Sequence, residues 1–157
     1  MMEKRKSYLR IVFVILIMMV ITIIIGAKAN ADGTVTVTYT RIGDEYTLVI
    51  FDWTADAAAA TVPATSTKSL AGYIVKVVTD PGATAPTDNY DITLTDSDSV
   101  DVMGGALANR DQSSTEQAVP KIGAAYGASF FIGTLTLNLS NNSVNSATGE
   151  VKVYISR

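Results

Sequence analysis

The sequence predicts an all-β chain, a single antiparallel β-sandwich of immunoglobulin-like or jelly-roll type with seven to eight short strands, behind an N-terminal hydrophobic signal segment. Three observations predict it. From Gly33 onward the apolar residues recur with a period of two rather than 3.6. Turn signals built from Gly, Pro, Asn and Asp interrupt the chain at close intervals. Between them no stretch has the apolar stripe of an amphipathic helix.

The opening MMEKRKSYLR sets Lys4, Arg5, Lys6 and Arg10 ahead of an uncharged apolar run, Ile11 to Ile25, and GAKANAD follows with two A-x-A sites. A basic region, an apolar region and small residues at the exit make an export signal, with cleavage expected after Ala31 and Ala29 as the next site. The apolar run falls short of the roughly 20 residues that span a bilayer but reaches that length with Gly26 and Ala27, so an uncleaved membrane anchor is the alternative. The expected organisation is a signal segment over 1–31 and one β-domain over 32–157.

Removing residues 1–31 takes five of the 12 Lys/Arg and one of the 15 Asp/Glu, leaving 7 against 14 and a net charge of −7. With no basic stripe to neutralise phosphates, nucleic acid is not an expected partner. The chain has no cysteine and no histidine. Disulfides, thiolate nucleophiles, a lipid-bearing cysteine, imidazole bases and most zinc sites are therefore excluded, and with them the Ser-His-Asp and Cys-His arrangements.

Taken in order, TVTVTYT puts Val35, Val37 and Tyr39 on one face and threonines on the other, a half-buried strand. RIGD, Arg41 to Asp44, is a tight turn into EYTLVIFDW, which is apolar on both faces, Tyr46, Leu48 and Ile50 opposite Val49, Phe51 and Trp53, and suits a central strand covered on both sides. Residues 55–69 are small and interrupted by Pro63, hence a loop, with a helical turn over Ala57 to Ala60 that Thr61, Val62 and Pro63 stop from growing. GYIVKVVTD resumes a strand, with Tyr73, Val75 and Val77 expected on one face, and ends at Asp80-Pro81-Gly82. YDITLTD follows with Tyr90, Ile92 and Leu94 inward, and VDVM is expected to pair back on it across Asp96-Ser97-Asp98-Ser99. The Gly-rich stretch that follows is expected to hold at most one short strand, near Glu116 to Val119. GTLTLNLS and EVKVYIS then close the chain as an antiparallel pair, Leu135, Leu137 and Leu139 against Val151, Val153 and Ile155.

The aspartates of DITLTDSDSVDVMGG, with Asp88 just upstream, carry three readings. Asp96, Asp98 and Asp101 are the candidate metal ligands, since calcium prefers several carboxylate and carbonyl oxygens. The EF-hand pattern fails here, with Val100 at its fifth place, Asp101 at its sixth and Leu107 at its twelfth, so such a site would recruit Asp88 or Asp111 from neighbouring loops. An acid and base pair would need carboxylates from separated strands, whereas Asp96 and Asp98 are neighbours at a turn; D-[ST]-G is missing too. The third reading, preferred here, is a hairpin tip whose Asp and Ser side chains satisfy their own backbone.

Trp53, the one tryptophan, is read as a core or rim anchor, with a sugar-stacking platform as the functional alternative. Arg110 is expected to pair with Asp111 or Asp101 at a surface, for about 0 to 1 kcal/mol. The Thr/Val strand at the start of the β-domain can also add to a neighbouring subunit's sheet edge, although RIGD is short enough to fold it back on its own sequel.

The run YIVKVVTDPGATAPTDNYDITLTDSDSVDVMGGALANRD, with TLTLNLSNNSVNSATGEVKVYIS, resembles a group of small all-β proteins of bacteriophage and prophage genomes, described as hypothetical or structural. It covers about half of residues 32–157 and rests on PTDNYDITLTD and VDVMGG. The group's hairpin tip reads D-x-D-G before V-D-V where this chain has Ser99, and the export signal is a second departure. The resemblance implies an accessory or structural part of a particle and transfers no active-site residue. The expected function is that of an exported, non-enzymatic structural or adhesive protein, periplasmic, cell-surface or extracellular. It would act through protein partners or self-association and touch the membrane only through its N-terminal segment. The alternative is a carbohydrate- or calcium-dependent binding module.

Overall fold

The computed structural model describes residues 31–157, so the expected signal or anchor segment lies outside the described residues apart from Ala31. Every regular element among the described residues is a β-strand, and every pairing is antiparallel. The strands are β1 (Thr34–Ile42), β2 (Tyr46–Thr54), β3 (Thr65–Ser66), β4 (Leu70–Pro81), β5 (Asp91–Thr95), β6 (Glu116–Ala118), β7 (Lys121–Ile122), β8 (Ala125–Tyr126), β9 (Ser129–Gly133), β10 (Thr136–Ser140) and β11 (Thr148–Ser156). Seven of the eleven run five residues or more; the excess over the expected seven to eight consists of pairings of two or three residues.

A six-stranded sheet has the order β1-β2-β11-β4-β6, with β9 also on β4, and it curls into a half-barrel. A three-stranded sheet has the order β3-β10-β5, and β7 and β8 form a separate hairpin. Inner-face residues of both larger sheets meet in one core: Val49, Phe51 and Trp53 of β2, Ile74 and Val77 of β4, and Val151, Val153 and Ile155 of β11 join Ile92, Leu94 and Leu137. Each such side chain contributes about 1.5 to 3 kcal/mol by leaving water.

β1 and β2 form the expected hairpin, in unbroken register from Thr34↔Thr54 to Ile42↔Tyr46. Gly43 at φ 61° and the Arg41 guanidinium, which donates to the Gly43 carbonyl at 3.1 Å, shape its turn. Val35, Val37 and Tyr39 are half-buried as the alternation requires. β2 is interior to its sheet but is not covered on both sides: one face is buried, whereas on the other Leu48 and Ile50 are half-buried and Tyr46 and Asp52 exposed, since among the described residues no second layer packs on it. The helical turn expected after it forms once, closed by the Ala60 amide on the Asp56 carbonyl at 3.2 Å and capped by Asp56 Oδ1, which accepts the Ala58 and Ala59 amides at 2.6 and 2.5 Å.

Four expectations need correction. In β4, Ile74 and Val77 are buried and Tyr73 is exposed, because the register with β11 shifts between Tyr154 and Ile155 and leaves Val75 as the extra residue of a bulge. The bulge reverses the alternation, which a strict period of two cannot anticipate. Second, VDVM forms only the bridge Thr95↔Asp101 before breaking into turns. The Asp101 carboxylate takes the Met103 amide at 3.1 Å and the Gly105 amide at 2.7 Å, and Gly104 and Gly105 adopt positive φ. Third, β10 pairs with β5 and β3 rather than with β11. The linker carries the chain from one sheet to the other, held by Asn142, whose Oδ1 accepts the Thr87 amide at 3.1 Å and whose Nδ2 donates to the Ala60 carbonyl at 2.8 Å. Fourth, the Gly-rich stretch holds the β7-β8 hairpin as well as the expected short strand β6, β9 follows it directly, and residues 55–69, read as a loop, contain β3.

Candidate functional site

The aspartate hairpin is built by its own carboxylates. Asp96 Oδ1 accepts the amides of Asp98 and Val100, each at 3.0 Å, and the Asp96 amide donates to the Val100 carbonyl at 3.0 Å. The loop is thus three residues with Ser99 at φ 64°, the left-handed place that glycine favours. Its tip is tied down, since Ser97 Oγ accepts the Thr134 amide at 3.1 Å. Asp101 serves the next turn with both oxygens, as described above, and Asp98 is exposed at the tip. The three candidate metal ligands therefore sit on one hairpin, two of them engaged by backbone N–H groups. Among the described residues no three acidic side chains converge as a metal cluster.

The neighbouring acids follow the same pattern. Asp91 accepts the Asn109 amide at 2.7 Å and the Asn141 side-chain amide. Asp111 accepts the Ser113 amide, its hydroxyl and the Ser114 amide, all within 2.8 Å, and these bonds hold its carboxyl below the ordinary range. Arg110 pairs with neither expected partner: its guanidinium reaches Glu116 at 3.4 Å and the Ala108 carbonyl at 3.1 Å.

Trp53 is 1% exposed and is a core residue. Its ring tilts against Tyr90 at 6.1 Å, and Gly149 leaves room for it, since a Cβ there would lie 2.7 Å from the indole. Burial pushes the Tyr90 phenol up to about 12. The platform reading therefore fails at Trp53.

Exposed apolar side chains gather instead on the outer face of the six-stranded sheet. Ile42↔Tyr46, Tyr46↔Ser156, Ser156↔Tyr73 and Tyr73↔Phe130 are successive cross-strand partners, so one row crosses β1, β2, β11, β4 and β9. Directly opposite residues point to the same face, and Ile132 joins them as the i+2 neighbour of Phe130. Tyr73 and Phe130 stack at 5.2 Å with rings tilted by 58° and remain 48% and 57% exposed; Ile132 is 69% exposed. The bulge at Val75 is what turns Tyr73 to this face.

Toward the other end of the same face polarity rises. One row further in, Lys76 Nζ lies 4.4 Å over the Tyr154 ring. Beyond it, Asp52↔Glu150 and Glu150↔Asp80 make a row of three carboxylates. Lys152 bridges two of them, 2.6 Å from Glu150 and 3.4 Å from Asp80. The Thr115 hydroxyl donates to Asp80 at 2.6 Å and is the main cause of its lowered pKa, with Lys152 adding to it. Sequence reasoning missed this surface because the row exists only through cross-strand register. Phe130 and Ile132 form a short apolar run between the Gly-rich stretch and GTLTLNLS, to which the sequence reading assigns no element.

Comparison with family models, with curated proteins and with solved structures finds no match to this chain.

Proposed function

We propose that this chain is an exported, non-enzymatic β-sandwich of immunoglobulin-like or jelly-roll type that acts by surface contact, as a structural or adhesive element of an envelope or extracellular assembly related to phage or prophage particles. The observation that carries the reading is the apolar row Ile42, Tyr46, Tyr73, Phe130 and Ile132 on the outer sheet face. Contiguous exposed apolar surface rimmed by polar groups marks contact sites. Burying such side chains is worth about 1.5 to 3 kcal/mol each. Two sheets with a common core support the sandwich class, and the basic, apolar and A-x-A segments of residues 1–31 support export.

A second reading is favoured by one observation: the exposed, tilted Tyr73 and Phe130 rings offer π-faces to a sugar. The test compares the full chain in detergent micelles with its Tyr73→Ser/Phe130→Ser/Ile132→Ser variant, by light scattering and by co-sedimentation with cellulose, chitin and peptidoglycan. Assembly beyond a dimer that the variant loses, at an unchanged melting temperature, supports the structural role. Polysaccharide binding lost in the variant replaces it with the sugar-binding module. Hydrolysis abolished by a single Asp→Asn change overturns the non-enzymatic reading.

A further inference from the structure

β1 is the terminal strand of the six-stranded sheet, and among the described residues nothing pairs with its outer edge. It is nine residues long, without bulge or proline, and residues 34–40, TVTVTYT, carry no charge. Edge strands of natural sheets are normally guarded by brevity, lysine, proline, a bulge or a covering segment. From Thr34 to Thr40 β1 has none of the first four. An open edge of that length is a template for a further strand.

The sequence of β1 selects the occupant. Read antiparallel against itself about Val37, TVTVTYT places Thr34 opposite Thr40, Val35 opposite Tyr39, Thr36 opposite Thr38 and Val37 opposite Val37. Every threonine meets a threonine on the outer face, and every apolar side chain meets an apolar one on the inner face. Cross-strand Thr–Thr and aromatic–β-branched pairs are both favourable. A register shifted toward either end shortens this match or, when moved toward Arg41, sets that charge against Val35. Charge points the same way: the domain is strongly acidic, whereas β1 from Thr34 to Thr40 carries no acid and the charge against it is the Lys68 ammonium, 4.3 Å over the Tyr39 ring, so two copies meet with least repulsion along this segment.

We propose that β1 is the docking edge for β1 of a second copy, in antiparallel register centred on Val37, joining two six-stranded sheets across a two-fold axis. Residues pair reciprocally, as a two-fold contact requires. The pairing is independent of the apolar row, which it leaves on the outer face of both copies.

The absence of cysteine makes the register directly testable. Two single-cysteine full chains, Thr36→Cys and Thr38→Cys, are mixed in detergent micelles under mild oxidation, with Gln117→Cys on the opposite edge as control. Residues 36 and 38 are direct partners in the proposed register, whereas 36 with 36 is a diagonal pair 7–8 Å apart. The expected result is a 36–38 mixed disulfide forming at least about tenfold faster than either homodimer, with Gln117→Cys unlinked. Equal rates for all pairs, or linkage only at Gln117→Cys, overturns the proposal, as does a wild-type chain that is monomeric by sedimentation. Contact made through the N-terminal apolar run would give a dimer without this register preference, and so counts against it. A Thr36→Lys/Thr38→Lys chain keeps its lysines on the solvent face and sets like charges opposite across the pair. It is expected to melt as the wild type does and to sediment as a monomer; a dimer that survives overturns the proposal.

Discussion

On one side of the six-stranded sheet β1 runs in unbroken register along β2, with no charge from Thr34 to Thr40, whereas on the other side β4 carries a bulge at Val75, ends at Pro81 and pairs with two short strands, β9 and β6. β1 leaves its outer backbone groups unpaired among the described residues, whereas those of β4 are taken by β9 and β6, and only the second side is broken up. The tight packing of the β4 side sets its sequence, including glycines that admit no side chain. The β1 side is half-buried, and its Thr/Val alternation follows from having one face on the core and the other toward solvent. In this sheet the fully buried residues lie on β2, β4, β9 and β11, while β1 adds half-buried side chains to the same core.

The largest expected effect lies in the core beneath both sides. Trp53, opposite Val35 of β1 and packed against Gly149 of β11, is expected to lose about 3 to 5 kcal/mol of stability on Trp53→Ala, read from urea melts. Trp53→Phe should cost much less, because it also removes an indole N–H that is buried without a partner. If Phe is as damaging as Ala, the orphan N–H is not a cost in the folded chain.

Next comes a matched pair of substitutions that can break the comparison. Gly72 of β4 has φ 153°, and a Cβ there would strike the Ser156 carbonyl and lie 2.8 Å from the Ile155 methyl. Gly72→Ala is expected to cost about 2 to 4 kcal/mol. Thr36→Ala on β1 should change monomer stability by less than about 0.5 kcal/mol. Similar costs for the two would mean that β1 is as firmly packed as β4.

Acid sharpens the contrast further. Asp80 at the end of β4 has a pKa lowered by the Thr115 hydroxyl first and by Lys152 after it. A depressed folded pKa contributes stability above the unfolded value near 4, and that contribution disappears as pH falls through the folded value. Melting temperature is therefore expected to drop below about pH 4, and to drop less in Asp80→Asn. Asp56 and Asp111 have lowered pKa values through accepted backbone amides and act in the same direction.

The smallest effects belong to the aspartate hairpin, away from both sides. Ser99 holds φ 64°, so Ser99→Gly is expected to stabilise by roughly 0.5 to 1 kcal/mol. Millimolar calcium should leave the melting temperature unchanged, because Asp96 and Asp101 already hold amide groups. A rise of several degrees would restore the calcium-binding reading.

The all-β class, the β1-β2 hairpin, the inward faces of Val35, Val37 and Tyr39 and of Tyr90, Ile92 and Leu94, and the core place of Trp53 were legible, because each follows from local alternation or one turn. Illegible were the features that depend on partners far along the chain. Strict alternation places Tyr73 inward, because nothing within GYIVKVVTD marks Val75 as a bulge; only β11 opposite it does. β10 and β11 both alternate and so look like partners in the sequence, but alternation is silent about which sheet a strand joins. The hairpin reading of Asp96 and Asp101 came from side-chain chemistry at short range and agrees with their hydrogen bonds. The apolar row was invisible because its members come from five strands and meet only through register.

The position of β11 also has a kinetic meaning. Among the described strands it is synthesised last, yet it lies between β2 and β4 and joins them, with Ser156 beside Tyr46 and Tyr73. Until residue 156 has left the ribosome the six-stranded sheet lacks its middle, and its core lacks Val151, Val153 and Ile155. Contacts so distant along the chain close slowly, because loop entropy is lost before they reward it. Closure of the six-stranded sheet is therefore expected to follow the synthesis of β11 rather than to proceed strand by strand during it.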